Sequence, residues 1–428
     1  MSNPRGNRGF PRRGGRGRGG GGPPARAPPQ HRTYEPGKRH MELIPSVSRS
    51  SGLDKDGDAL RDPKVQEEYR AFIQTKVDDY WAKYALGAVP GGGSGDADLE
   101  KAASHRKETE GNLLILLRKL REGLMSTQRR DAFALEVYET SLHLSVLFKS
   151  PAQTTSTLSH LFPAFYVVPA QARPPTSTSH TPEHDTATQP VPESPPPTAL
   201  ASTLIFLLHH LVSTYPSQLS FHTQLRQLHP TLQQLLRAPL ATASSSGPGT
   251  PSSSPQTEPA SQPADRHRRF SSDSSPYDWL SALARCLRRR DYARLGVLTE
   301  HATFGRFVDV NAIAANGDRR NLAKEAIQVL VESLLEKARE PAWNVLRTAY
   351  REVHLRTTPT GAAAGETTAT WLARSLVLRA TSAGGDNMHG DNISYDVVTT
   401  WLEERSTKGE ARRKEGEGME SRWILVKA

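Results

Sequence analysis

Apolar residues recur every three or four positions along several separate stretches of the chain, and that spacing predicts helices. From Val65 to Tyr84 they fall at Val65, Tyr69, Phe72, Ile73, Val77, Tyr80, Trp81 and Tyr84. This is one aromatic stripe behind an Asp62–Pro63 start, where the carboxylate suits a cap and the proline a first turn. Residues 99–123 predict a second helix centred on Leu113, Leu114, Ile115, Leu116, Leu117 and Leu120. Residues 129–149 predict a third, through Phe133, Val137, Tyr138, Leu142, Leu144, Val146 and Leu147. The pattern returns at 199–214 and 218–237. From Tyr277 helices are expected in quick succession at 277–289, 291–303, 306–315, 320–338 and 341–355, the last opening on Pro341.

The C-terminal pattern is different. Residues 369–379 predict a short amphipathic helix with Trp371, Leu372, Leu376 and Val377 inward. After a polar turn, residues 393–404 predict another, with Ile393, Val397, Val398, Trp401 and Leu402 apolar. A charged, Gly-containing stretch leads to RWILVKA, the one convincing strand. Between these elements lie segments that cannot bury enough apolar surface to offset chain entropy. Residues 1–30 are an Arg-Gly low-complexity run, 169–198 hold nine prolines among Ser and Thr, and 240–276 are rich in Ser, Pro and Gln. The expected organisation is a disordered basic arm and lead-in (1–60), an N-terminal helical region (61–150) and a Pro/Ser/Thr-rich linker (151–198). A helical pair (199–239), a disordered linker (240–276), a helical stack (277–356) and a winged-helix-like module (357–428) complete it. The fold class is mainly α: a stack of helical pairs, α-solenoid-like, followed by a C-terminal winged helix.

Composition narrows the function. No apolar run reaches the roughly 18 residues of a membrane span, and the charged N-terminus lacks an apolar signal core. A single cysteine, Cys286, excludes a disulfide framework and a cysteine-rich zinc site. The expectation is a soluble intracellular protein, in the cytoplasm, the nucleus or both, with no membrane partner. Of the net charge of +10, residues 1–50 supply eleven Lys/Arg against two Glu, which leaves the rest of the chain near neutrality. The basic character therefore belongs to the arm and not to a domain surface.

Helical pairs running into a C-terminal winged helix resemble the PCI domain. Leu372, Ala373 and Leu376 are similar to its Leu-Ala-x-x-Leu segment, and Val397, Val398, Trp401 and the 423–426 strand resemble the helix and strand that come after that segment. Within the family, the compact kind is closest: the smallest signalosome subunit, a proteasome lid subunit and subunit k of translation initiation factor 3. The stretch YDWLSALARCLRRRDYARLGVL is similar to its paired helices about an Arg/Asp turn. The resemblance covers roughly residues 200–428. It implies a non-catalytic scaffold subunit of a multisubunit complex, binding other PCI-type subunits, with no cofactor and no small-molecule substrate. The Arg-Gly arm, the two Pro/Ser-rich insertions and the long charged wing loop depart from that pattern. They keep open an RNA-associated adaptor of messenger-RNA export or translation, Sac3/GANP-like.

Each candidate group has a bland reading beside the sharp one. Arg5, Arg8, Arg12, Arg13, Arg16 and Arg18 carry guanidinium forks that suit RNA phosphates, against a merely solubilising tail. Arg285, Arg288, Arg289, Arg290 and Arg294 form the one cationic cluster of the folded part, a partner surface, a solvated face or, third, a nucleic-acid contact. Trp371, Leu376, Trp401 and Trp423 are core or interface. The wing cations Arg405, Lys408, Arg412, Arg413, Lys414 and Arg422 are interleaved with glutamates, so a solvated loop is expected over a DNA contact. Asp54, Asp56 and Asp58 have an EF-hand look, but glycine stands at the wrong position and Val65 where Glu is required, so they read as a turn. GAAAGETT lacks the P-loop lysine. His209, His210, His222 and His229 lack zinc-site spacing, and Cys286 lacks a His/Asp partner although nearby arginines would favour its thiolate. No catalytic constellation emerges, and a non-enzyme is expected. Ser150, Ser194, Thr250, Ser254 and Ser275 precede proline and are candidate phosphorylation sites.

Overall fold

The computed structural model describes residues 41–49, 59–84, 96–167, 195–239, 274–309, 320–357, 366–379, 390–416, 419 and 421–427. The chain falls into two units, Met1–Leu43 and Ile44–Ala428. The first contributes one described element, a 3-10 turn at Met41–Leu43; the second holds all the others. The described residues are mainly helical, with thirteen α-helices and three short strands. The arm residues Arg5 to Arg18 and most of the two insertions lie outside the described residues.

α1 (Pro63–Lys83) starts as its sequence predicts: Asp62 accepts a hydrogen bond from the Lys64 amide at 2.9 Å, and Pro63 occupies the first turn. Its stripe of Val65, Tyr69, Ile73, Val77 and Tyr80 is buried. α2 (Asp96–Ser126) buries Leu113, Leu114, Leu117, Leu120 and Leu124 and packs on α1. Gly123 is there for space: a Cβ would sit 2.7 Å from the Leu60 carbonyl oxygen, a backbone atom that cannot step aside. α3 (Ala132–Leu147) is capped by Asp131, which accepts from the Ala134 amide at 2.9 Å.

α4 (Pro151–Leu161) corrects the expected linker, whose first eleven residues are this helix. Its Ser150–Pro151 start is a helix-initiating pair, and Leu158 and Leu161 are buried. α5 (Ala199–Ser213) is buried almost all round, from Leu204 to Leu208 without interruption, as an apolar helix at the centre of a body must be. The expected helix 218–237 is two, α6 (Leu219–Gln227) and α7 (Pro230–Arg237), because Pro230 forces Leu228 and His229 out of helical geometry. α8 (Pro276–Arg289) opens on a reciprocal capping box between Ser275 and Asp278. α9 (Tyr292–Leu298) and α10 (His301–Asp309) come next, and Trp279 of α8 donates its Nε1 hydrogen to the Leu298 carbonyl at 2.8 Å.

α11 (Leu322–Ala349) is the organising helix. Two helices are expected here, 320–338 and 341–355; the structure runs one helix straight through Pro341. α11 packs on α5 and on α3, which lie far from it in sequence. Packing on both sides of the proline, through Leu334, Leu335, Ala338, Ala342 and Trp343, holds the helix together. The Lys337 ammonium donates to the Val212 carbonyl at 2.7 Å, a cation at the C-terminal end of α5.

Beyond α11 the chain forms β1 (Glu352–His354), α12 (Thr368–Ser375), α13 (Gly390–Thr407), β2 (Ala411–Arg413) and β3 (Arg422–Leu425). β1 replaces the end of the expected helix 341–355. β3 lies between β1 and β2, antiparallel to both, with Val353 opposite Trp423 and Arg412 opposite Ile424. Trp423 and Leu425 point inward, and their neighbours Arg422 and Ile424 are half-buried. Trp343, Leu346, Val353, Leu355, Leu372, Leu376, Val398, Leu402, Trp423 and Leu425 share one core. The last third of α11 is therefore part of the C-terminal module.

Candidate interaction surfaces

The C-terminal module is fixed to the helical body by a buried polar knot as well as by its core. Glu410, in the turn before β2, accepts from Trp343 Nε1 at 2.9 Å and from Arg405 Nη1 at 3.0 Å. Its other oxygen lies 3.4 Å from Arg347 Nη1. Arg405 also reaches Glu340 at 3.0 Å, and Arg347 donates to the Val426 carbonyl at 2.6 Å. The knot joins α11, α13, the β2 turn and the residues after β3. Burial alone would raise the Glu410 carboxyl pKa. Hydrogen bonds from Arg405 and Trp343, helped by the Arg405 and Arg347 charges, hold it below the ordinary carboxylate value.

The four apolar candidates of this module separate. Trp423 and Leu376 are core, each about 1 % exposed, and present nothing to a partner. Trp371 is half-buried, edge-on to Tyr350 with ring centroids 5.7 Å apart. Trp401 is half-buried, edge-on to Trp343 at 4.8 Å, with the Arg405 guanidinium over its ring. Tyr350, Val345 and Val426 are exposed at this end of the molecule. Three of the wing cations are paired: Lys408 with Glu404 at 3.0 Å, and Lys414 and Arg422 both with Glu352, while Arg412 and Arg413 are exposed. No open cationic face is left by these three for duplex DNA.

Arg288, Arg289 and Arg290 are exposed at the C-terminal end of α8, where cations suit the helix dipole. Arg290 itself takes the left-handed conformation, φ 58° and ψ 33°, a position where helices usually place glycine. Cys286 lies one turn back on the buried face. Burial, then the Asp291 charge, push its thiol up to about 11 against the pull of Arg294, Arg285 and Arg289. The arginines thus fail to produce the thiolate that a nucleophile requires. His209 meets the Thr155 hydroxyl at 2.9 Å, His210 meets the Ser220 hydroxyl at 2.9 Å, and His229 accepts from the Thr231 amide as the α7 cap. His209 and His210 thus tie α5 to α4 and α6, and His229 serves its own helix. Ser150 and Ser275 stand at helix N-termini, and Ser275 is buried. Ser194, Thr250 and Ser254 lie outside the described residues.

Sequence pattern misses Glu410 and Glu139. Glu139 is buried on α3, accepts from the Tyr166 hydroxyl at 2.7 Å and lies 3.4 Å from the Ser202 hydroxyl. It is one of two glutamates in the stretch FALEVYETSLHLSVL, and only the fold separates it from exposed Glu136, which pairs with Arg70. Glu410 carries no signal either, since it stands among five other wing glutamates. Comparison with protein-family models, with curated proteins and with solved structures finds no match to this chain.

Proposed function

We propose that this chain is a non-catalytic scaffold subunit of the PCI type, and that residues from the end of α11 to β3 form its winged helix. The observation that carries the reading is the order helix, strand, helix, helix, strand, turn, strand, with β3 hydrogen-bonded on both edges. The Leu372-Ala373-Leu376 segment that resembles the family's motif is buried beneath that sheet, as a motif maintained for packing would be. In this reading the helical body meets neighbouring subunits. The module's free apolar groups, Tyr350, Val345 and Val426 with half-buried Trp371, supply the contact with another PCI chain. The protein then works in the cytoplasm or the nucleus, as part of an assembly of the lid, signalosome or initiation-factor kind. Affinity purification of the full chain from its own cells, read by mass spectrometry, tests this. Recovery of several PCI-type subunits in constant ratio is expected; their absence sinks the proposal.

A second reading rests on the Arg-Gly arm: an RNA-associated adaptor of messenger-RNA export or translation, with Arg5, Arg8, Arg12, Arg13, Arg16 and Arg18 on phosphate. RNA affinity measured across a salt series, with and without residues 1–40, separates the two. An unchanged affinity in the shortened chain removes the adaptor's main support.

A further inference from the structure

Two adjoining grooves run along α6, α7 and α8 towards Pro341 of α11. They have volumes of about 520 and 510 Å³ and share His222 and Arg288 as a common wall. Arg226, Arg237 and Arg288 line the first, and Arg288 and Arg290 the second; among the described residues no carboxylate lines either. All four guanidiniums are exposed, and none forms an ion pair with a described carboxylate. Arg237 is held in place by stacking over the Tyr277 ring, 5.1 Å from its centroid, and Arg226 donates to the His222 carbonyl at 3.2 Å. Between the cations the apolar side chains open to a ligand are half-buried Leu225 in the first groove and Leu219 on the rim of the second, 71 % exposed; Leu236 and Leu287 behind them belong to the core.

We propose that this double groove docks an extended acidic peptide of a partner protein, its Asp or Glu side chains on the four arginines and its apolar side chains on Leu225 and Leu219. Charge complementarity selects an anion. The apolar side chains of Leu219 and Leu225 beside the cations suit a peptide better than a nucleic acid. A phosphate chain needs a continuous cationic track and open aromatic faces for its bases. Here the chain beyond residue 50 is close to neutral overall, and the Tyr277 face is already covered by Arg237. The local field is visible in His222, whose pKa is lowered by burial first and then by Arg288 and Arg226. Arg290 adds a separate argument. It keeps a left-handed backbone that glycine would adopt without strain, and it lines the second groove. This inference does not rest on the scaffold reading, because none of its four arginines belongs to the C-terminal module.

The test uses the full chain and a fluorescently labelled synthetic peptide of alternating Glu and Leu, with fluorescence anisotropy as readout. The combined variant Arg226→Gln, Arg237→Gln, Arg288→Gln should bind about tenfold or more weakly. Both proteins carry Gln in place of Arg5, Arg8, Arg12, Arg13, Arg16 and Arg18, so that these arm arginines offer the peptide no competing cationic site. A peptide with Gln in place of every Glu should not bind. The single variant Arg290→Gly should weaken binding while keeping an equal or higher Tm, which separates lost recognition from lost folding. A U-tract RNA should lose far less affinity than the peptide in the combined variant. No binding by the chain with its groove arginines intact, an unchanged affinity in the combined variant, equal binding of the Gln peptide, or an equal loss of RNA affinity would each overturn the proposal.

Discussion

At the scale of single residues, the groups that a hydrophobic pattern ranks lowest do much to set how the protein answers to pH. His209 and His143 are buried as neutral imidazoles, each lowered from 6.5 to about 4, by desolvation in both and additionally by the His210 and Lys337 charges at His209. The unfolded chain takes up protons at these sites below pH 6.5 that the folded chain refuses until about pH 4. Stability therefore falls as pH drops through that window. Unfolding in urea at stepped pH should show this loss, and His209→Gln should make it shallower. An unchanged slope in that variant would contradict the assignment. Glu139 works in the opposite direction. Burial, outweighing hydrogen bonds from Thr198, Tyr166 and Ser202, raises its pKa, so acidification favours the fold at that site. His209 is visible in the sequence only as one of four suspect histidines. Its burial could not be read there, because it depends on how α5 meets α4.

At the scale of elements, the starts are legible and some of the ends are not. Asp62–Pro63 and Ser275–Pro276 open helices, since a capping oxygen followed by a residue with no amide hydrogen is a local device; Ser150–Pro151 opens α4 without a cap bond from the serine, where the sequence predicts a linker. The same reasoning misplaces Pro341, which has no cap before it and sits inside α11. An interior proline costs about 3 kcal/mol through a lost hydrogen bond and a clash with the preceding turn, so other contacts must outweigh it. Here they are the buried neighbours Ala338, Ala342 and Trp343. Pro341→Ala should stabilise the protein by about 2 kcal/mol, that cost less the ~0.4–1 kcal/mol of extra freedom gained by the unfolded chain. Urea midpoints check it; a destabilised variant would mean that the proline ring itself packs favourably. The strands are the weakest-read elements. EVH and ARR are three residues each and mostly polar, too short to show alternation.

At the scale of the whole molecule, α11 makes the C-terminal module part of the helical body. Its first two thirds pack on α3 and α5, and its last third carries Trp343 and Leu346 into the core beneath the sheet. β3 closes that core, since β1 and β2 each pair with it and not with one another. Removing residues 422–428 should therefore leave two strands without partners and expose the apolar faces of α12 and α13. The shortened chain should bind a hydrophobic dye and lose near-ultraviolet circular dichroism while keeping most of its helical signal. Native-like tryptophan dichroism in that chain would show that the sheet is dispensable.

Sequence by itself determined the class of fold, the core faces of the long helices and the placement of charge in the arm, because helical periodicity, capping and composition are local properties. It also marked RWILVKA as a strand and Arg288–Arg290 as the cationic cluster of the folded part. Only the tertiary structure decided that β1 and β2 exist, that Glu410 ties α11 to α13, and that Arg226 and Arg237 join Arg288 in one groove. Each of these depends on residues far apart in the chain. Pairing across such distances is decided by the free energy of the packed whole, which no single stretch of residues carries.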